Sequence, residues 1–509
     1  MSLTNITPPR TPDPRRWKAL SILALADFVV ILDATIVNIA LPSIGRSLHA
    51  STESLSWVVT AYILAFGGLL LLGGRLADLF GRRRLFIGGL GVFGAASLAA
   101  GLSSSIEMLI AFRALQGAGA AALAPAARAL VTTLFAEGPE RNKALGLWAA
   151  VAGSGTVVGL ILGGVLTSGL GWEWVFFVNV PVVLGAALLA PRLIDESRAE
   201  TADRSTDVPG ALLVSGGLVT ALYAITQAGD AGWGSTQTLG LLAAAPALLA
   251  LFAGVESRTR SPLVPPAMLR LGSVRGANVA MVLMSAAMVG MFFVLTLYQQ
   301  QVQGYSAIQA GLAQVPLGVV LIGLAGAAGP LVERLGVKPT LLAGLALFAG
   351  GIAWLAQITA QGSYLTEVLG PSVVIGAGLA FAFVALTVAS ASGVDEANHG
   401  TAGGLINMTQ QIGGAVGLAV TTAVATAGTH GGADAVALTD GFRSALLVSA
   451  GIAAAAIAAT VLALPGRSAL GRERRDDAAE AALPHRVAVL GGRDAVSART
   501  ARSGRAGVA

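Results

Sequence analysis

The chain has 509 residues, of which 55% are hydrophobic and 12% charged, with a mean hydropathy of +0.75. It carries repeated apolar runs of about twenty residues, the length that crosses a bilayer and not that of amphipathic surface helices. Cysteine is absent, which excludes disulfides and thiolate metal sites; the net charge of +5 sits largely in loops and tails and reads as membrane topology, not as a nucleic-acid surface.

Fourteen candidate spans follow in chain order: 19–41, 56–76, 85–103, 106–132, 144–168, 174–191, 209–228, 237–255, 277–299, 307–331, 339–358, 366–391, 402–428 and 442–464. No cleavable leader pattern precedes the first run, so it reads as a retained helix. Connections are short and leave no room for a soluble domain. Basic residues test the count, because they concentrate on the cytoplasmic side. Arg15, Arg16 and Lys18 precede span 1; Arg82, Arg83 and Arg84 join spans 2 and 3; Arg141 and Lys143 lie between 4 and 5. Arg192, Arg258, Arg270, Arg334 and Lys338 continue the alternation, with Arg46 the clear exception. An even count and this bias place both termini in the cytoplasm. The tails, 1–16 and 466–509, lack apolar periodicity and read as disordered.

Two patterns recur. "GRLADLFGRR" (74–83) returns as "GPLVERLGVK" (329–338), an offset of 255. Gly146, Gly155 and Gly159 return as Gly404, Gly413 and Gly417, an offset of 258. Duplicated halves around a central site are a common transporter architecture. The offset makes 17–200 an N-terminal six-helix half, 271–465 a C-terminal half, and 201–270 an inserted helix pair.

Span 1 contains Asp27 and Asp33. A carboxylate at mid-membrane depth costs about 2.5–3.5 kcal/mol on insertion scales, so such residues face protein or water and pair. From the span ends, Asp33 lies ~12 Å and Arg113 of span 4 ~10 Å below the outer surface. Matching depth suggests that both face one cavity and influence each other's protonation; the alternative is a static salt bridge. Asp27 sits about 120° around the helix from Asp33 and reads as a second proton stop, a substrate contact or a structural group. Gln116 and Gly117 share the Arg113 face. Candidate substrate contacts are Asp33, Asn38, Trp57, Tyr62, Gln116, Tyr298, Gln299, Asn407 and Gln411, Trp57 being equally well read as an interfacial anchor.

Candidate gating residues fall in two groups. Gly74, Asp78, Gly81, Arg82 and Arg83 form a charge latch with almost no loop, and Glu333 is the acid of its copy. Gly155, Gly159 and Gly163 make a smooth stripe on span 5, either for ordinary close packing or as a sliding surface between halves.

These motifs together resemble the major facilitator superfamily, specifically its fourteen-span drug:proton antiporter branch, over about 17–465. "LDATIVNIALP" (32–42) is similar to that branch's first-helix signature, "GRLADLFGRRRLF" (74–86) to the loop 2–3 motif, and "RALQGAGAA" (113–121) to the fourth-helix motif. "LYQQQVQGYSAIQAGL" (297–312) is similar to the branch's segment at spans 9 and 10. Leu160 stands where the branch's span 5 carries proline, and Glu173 stands between Trp172 and Trp174 where the branch has arginine.

The resemblance implies an all-α membrane protein that works by alternating access and proton antiport. Asp33 would be the proton and cation carboxylate, with Arg113 modulating it. The implied cargo is a lipophilic cation, antibiotic or dye, exported from a bacterial cell membrane by a monomer. Multidrug efflux and antibiotic resistance would follow. The alternative is a narrow exporter or facilitator of one metabolite or natural product. No enzyme, cofactor or metal role is expected: Lys18, Lys143 and Lys338 fit no phosphate-cradling Gly-Lys-Ser/Thr loop, and the four histidines lie in loops, at span ends or in the tail.

Overall fold

A computed structural model describes residues 15–135, 139–197, 208–232, 234–259, 266–394, 399–429, 432 and 434–464. Both expected disordered tails fall almost wholly outside these residues. The long helices are α1 (Arg16–Ser47), α2 (Thr52–Phe80), α3 (Arg82–Gly101), α4 (Ile106–Leu134), α5 (Pro139–Gly169), α6 (Trp174–Leu193), α7 (Val208–Ala231), α8 (Thr236–Glu256), α9 (Gly272–Val302), α10 (Ala307–Leu335), α11 (Val337–Leu355), α12 (Tyr364–Ala391), α13 (His399–Gly428) and α14 (Ala435–Ala463), with a short helical turn at Pro266–Arg270. Among the described residues, twelve helices are long and apolar enough to cross a membrane. In α5 and α7 the apolar stretches are shorter, Ser154–Gly169 and Leu212–Ala221.

Helix starts follow a side-dependent rule. Those of α2, α4, α8, α10 and the helical segment of α12 carry Ser51, Ser105, Ser235, Ser306 and Ser363, each accepting from a backbone N–H one turn on; α14 has Asp434 in the same role. Each cap satisfies a donor that the helix itself leaves open. All belong to even-numbered helices, so they share one face of the antiparallel bundle. At the opposite face α3 and α11 begin after Gly81 (φ +105°) and Gly336 (φ +96°), in a backbone region that favours glycine.

The duplicated loop does the same work twice. Arg83 donates to the Ile194 carbonyl at the end of α6 (3.1 Å). Lys338, the matching position, donates to the Val461 and Leu464 carbonyls at the end of α14 (2.8 and 2.7 Å). Each basic side chain satisfies carbonyls that its helix end leaves open.

Helix packing repeats as well. Gly119 of α4 meets the Phe93 backbone of α3 so closely that a Cβ would stand 2.6 Å from its nitrogen. Gly378 of α12 meets the Phe348 backbone of α11 in the same way. On α5, Gly155, Gly159 and Gly163 lie against the carbonyls of Phe28, Leu32 and Ile36 of α1, while Gly413 and Gly417 of α13 lie against Val282 and Ala286 of α9. Small residues at these points let backbones approach where lipid offers no hydrophobic drive for association.

The glycine stripe of α5 therefore packs within the first six helices. A different face of α5 meets α10. Gly164 and Leu160 contact Ile308 and Gly311, Val157 contacts Gly318, and the Ile308 N–H donates to Ser168 Oγ at 3.2 Å. Val157, Leu160, Gly164 and Ser168 recur at three- and four-residue steps, offset around the helix from the stripe. Leu160 thus faces the second set of helices. The α7–α8 pair sits outside: Val219 of α7 packs on Gly68 of α2, and Tyr223 stacks near Trp57 at 5.8 Å.

Candidate functional site

Asp33 and Arg113 meet directly. One Asp33 oxygen, Oδ2, accepts from Arg113 Nη1 at 2.6 Å, and the side chains are 0% and 1% exposed. Equal depth on α1 and α4, read from the span ends, corresponds here to contact rather than to two walls of a cavity. Such a pair repays its desolvation only when its remaining hydrogen-bonding groups are also satisfied.

They are well satisfied here. The second carboxylate oxygen, Oδ1, accepts from Gln116 Nε2 and from Asn179 Nδ2, both at 2.8 Å. Arg113 Nη1 also donates to Gln116 Oε1 (2.7 Å), and its Nε donates to the Val58 carbonyl of α2 (3.1 Å). The guanidinium lies 4.2 Å above the centre of the Tyr62 ring, a cation–π distance. Ser97 of α3 accepts from Gln116 and Asn179 and donates to the Phe176 carbonyl of α6 (2.9 Å). Five helices, α1 to α4 and α6, thus meet in one cluster of contacts around this carboxylate.

Local sequence explains the convergence. Gly117, beside Gln116, packs against the Tyr62 carbonyl, which draws α4 onto α2 and seats Arg113 over the ring. Arg113 and Gln116 stand three positions apart, so both project from one face. Asn179 follows Phe177 and Val178, where α6 passes from its short opening turn (Trp174–Phe177) into its long segment (Asn179–Leu193).

Gln116, Asp33 and Arg113 are brought together as the sequence suggested. Tyr62 joins them, though its ring is buried under Arg113 and its hydroxyl donates to the Val30 carbonyl. Asp27 stands apart, within electrostatic reach of Arg128 on α4. Asn38 donates to the Ala34 carbonyl of its own helix. Trp57 faces Tyr223 of α7 rather than the Asp33 centre.

Of the residues expected in the second half, Gln299 alone joins a buried neutral network, with Gln314 and Thr296. Gln314 Nε2 donates to Thr296 Oγ1 and Gln299 Oε1, at 3.1 and 3.0 Å. A π-helical turn, Tyr298–Val302, ends α9 and aims neighbouring side chains in different directions. Tyr298 donates to the Thr359 carbonyl, while Gln300 donates to the Ile39 carbonyl of α1 at 2.9 Å. Gln411 packs on Gly67 of α2, and Asn407 lies one turn away on α13. Nothing places these groups on Asp33.

In the loop motif, Arg82 donates to Asp78 at 3.2 Å, while the Arg83 and Arg84 backbone N–H groups donate to Glu196 at 3.1 and 3.2 Å. A Cβ on Gly81 would stand 2.5 Å from that carboxylate. Gly74 lies beside Pro125 of α4. In the copy, Glu333 is exposed.

Sequence reasoning missed Asn179, Ser97 and Glu196. Asn179 carried a signal, as a lone amide in the apolar run "VFFVNVPVV". Ser97 in "AASLAAG" carried none, since a serine hydroxyl satisfies itself inside any helix.

An all-helical bundle with twelve helices of span length among the described residues, packed around a buried ion pair, fits a membrane transporter. The family model for the Major Facilitator Superfamily matches residues 23–418 and 327–496, and the chain belongs to that family. It is 43% identical to the puromycin resistance protein of Streptomyces alboniger over 82% of this chain and 83% of the relative. To the cephamycin export protein of Amycolatopsis lactamdurans it is 44% identical over 81% and 86%. To the tetracenomycin C resistance and export protein of Streptomyces glaucescens it is 38% identical over 80% and 75%. A peptide transporter solved with sulfate superposes at TM-score 0.66 and 15% identity, covering 90% of this chain and 95% of that one. A nucleoside transporter superposes at 0.63 and 13%, covering 88% and 100%. At these identities the likeness concerns the fold.

Proposed function

We propose that this protein is a proton-coupled efflux transporter that exports lipophilic cationic or neutral antibiotics by alternating access. The carrying observation is the Asp33 centre: a buried carboxylate held by Arg113, Gln116 and Asn179 in a chain that belongs to a transporter family. A titratable group kept at this cost inside a membrane protein is a functional site by default. In this reading Asp33 takes up and releases the proton, Arg113 adjusts how tightly it is held, and Asp27 is a second stop. Asn38, Tyr62, Gln116, Tyr298, Gln299, Asn407, Gln411 and Trp57 contact cargo in conformations that open the bundle. The loop residues Gly74, Asp78, Gly81, Arg82, Arg83 and Glu333, with Gly155, Gly159 and Gly163, govern the change of state.

The same reading makes α5 and α7 full spans, for fourteen in all, with 17–200 and 271–465 as halves and 201–270 as the inserted pair. Both termini then lie in the cytoplasm of a bacterium, and the monomer works in the plasma membrane without a cofactor. Support comes from the loop arginines and from relatives named for resistance to or export of antibiotics.

A second reading is a narrow exporter of one natural product. Its support is that these relatives are each named for a single antibiotic. Expression in a drug-sensitive bacterium separates the two. Cells loaded with puromycin, lincomycin, tetracenomycin C or ethidium are followed for efflux before and after collapse of the proton gradient. Gradient-dependent loss of several compounds supports the broad exporter, and loss of one supports the narrow one. Efflux that persists after the gradient is collapsed contradicts proton coupling and leaves a facilitator.

A further inference from the structure

Asn179 directs a donor at Asp33 and leaves an acceptor idle. Its Nδ2 donates to Asp33 Oδ1 at 2.8 Å and to Ser97 Oγ at 3.1 Å, while its Oδ1 is buried with no hydrogen-bond partner. The residue is fully buried. An unpaired buried acceptor is costly, and here it is the other end of the amide that serves the carboxylate.

This arrangement suits an ionised Asp33, which accepts only. Once protonated, the carboxyl becomes a donor at one oxygen and needs an acceptor beside it. Rotating the Asn179 amide by half a turn about Cβ–Cγ brings Oδ1 to the place Nδ2 now holds. Ser97 then faces an acceptor instead of a donor. Its single hydroxyl proton, now on the Phe176 carbonyl at 2.9 Å, turns to Asn179 Oδ1 and releases that carbonyl.

We propose that Asn179 is a positioning residue that reads the proton on Asp33 and, through Ser97, passes the reading to the α3–α6 contact. The inference rests on the proton-coupling role of Asp33 set out above. One proton from water binds Asp33 Oδ1 and later leaves from the same atom; Asn179 and Ser97 exchange hydrogen bonds but gain and lose no proton. Arg113 of α4 and Tyr62 of α2 are the ionisable side chains against this carboxylate, with Asp27 on the same helix.

The test uses full-length protein in proteoliposomes with radiolabelled puromycin as the probe. Accumulation driven by an imposed pH gradient is compared with gradient-free exchange. In Asn179→Leu and Ser97→Ala, driven accumulation falls by at least about tenfold, and by a larger factor than gradient-free exchange does. Asn179→Ser, whose hydroxyl both donates and accepts, restores accumulation to about half or more. Retained accumulation in Asn179→Leu overturns the inference alone, as does an equal fall in both readouts, which marks a merely structural role. Should Asn179→Leu fail to insert, Ser97→Ala decides by the same criteria. A wild type indifferent to the gradient overturns the coupling reading and this one together.

Discussion

Arg113 is held by more than its partner: Asp33, Gln116, the Val58 carbonyl and the Tyr62 ring all engage it. Removing one charge of such a pair leaves the other buried and uncompensated, at about 3–5 kcal/mol, whereas neutralising both costs less. Arg113→Ala is therefore expected to lower thermal stability in detergent more than Arg113→Ala combined with Asp33→Asn. Melting temperatures from fluorescence-detected size exclusion check the order, and a double variant less stable than Arg113→Ala contradicts it. Elsewhere on the chain, the Glu196 carboxylate accepts from two N–H groups at the start of α3. Such an anion at a helix N-terminus contributes about 0.3–1 kcal/mol. Glu196→Gln should accordingly lower the melting temperature slightly, and no change in melting would contradict the assignment.

Glycine contacts set how closely the helices pack. At Gly119 a Cβ would meet the Phe93 backbone, which cannot rotate away, while at Gly88 nothing stands within 4 Å. Overpacking a tight site costs about 1–3 kcal/mol. Gly119→Val should reduce yield and melting temperature sharply, and Gly88→Ala should leave both unchanged; equal behaviour of the two would contradict this packing. Much of this level was legible in the sequence. Apolar runs gave the helices, and the 74–83 and 329–338 copies gave the repeat, because charge and glycine at a short loop are rare enough to stand out. The partner of the α5 stripe was not legible. Periodicity says that Gly155, Gly159 and Gly163 share a face, but only packing says that the face meets α1. Asn179 escaped for the same reason, since its role depends on three helices distant in sequence.

At the scale of the whole molecule, the two sets of helices touch along α5 and α10, where Ser168 meets Ile308, along α2 and α13, where Gln411 packs on Gly67, and where Gln300 reaches the Ile39 carbonyl. The proposed alternating access requires these contacts to open. Because the chain has no cysteine, a pair introduced at Ser168 and Ile308 gives a clean cross-linking test. Bridging that pair with a short thiol-reactive linker should arrest efflux, each single cysteine should not, and a cleavable linker should restore transport when cut. Full transport in the bridged form would contradict opening at this seam.

The most direct test of the central claim is proton movement in inverted membrane vesicles. Energised vesicles carrying wild type or Asp33→Asn receive puromycin, lincomycin, tetracenomycin C and ethidium in turn while the pH gradient is followed. The account expects at least one compound to dissipate the gradient with wild type, and that response to vanish with Asp33→Asn. Compound-dependent dissipation that survives Asp33→Asn would contradict the role given to this carboxylate. The absence of any response in wild type would contradict proton-coupled export of these compounds.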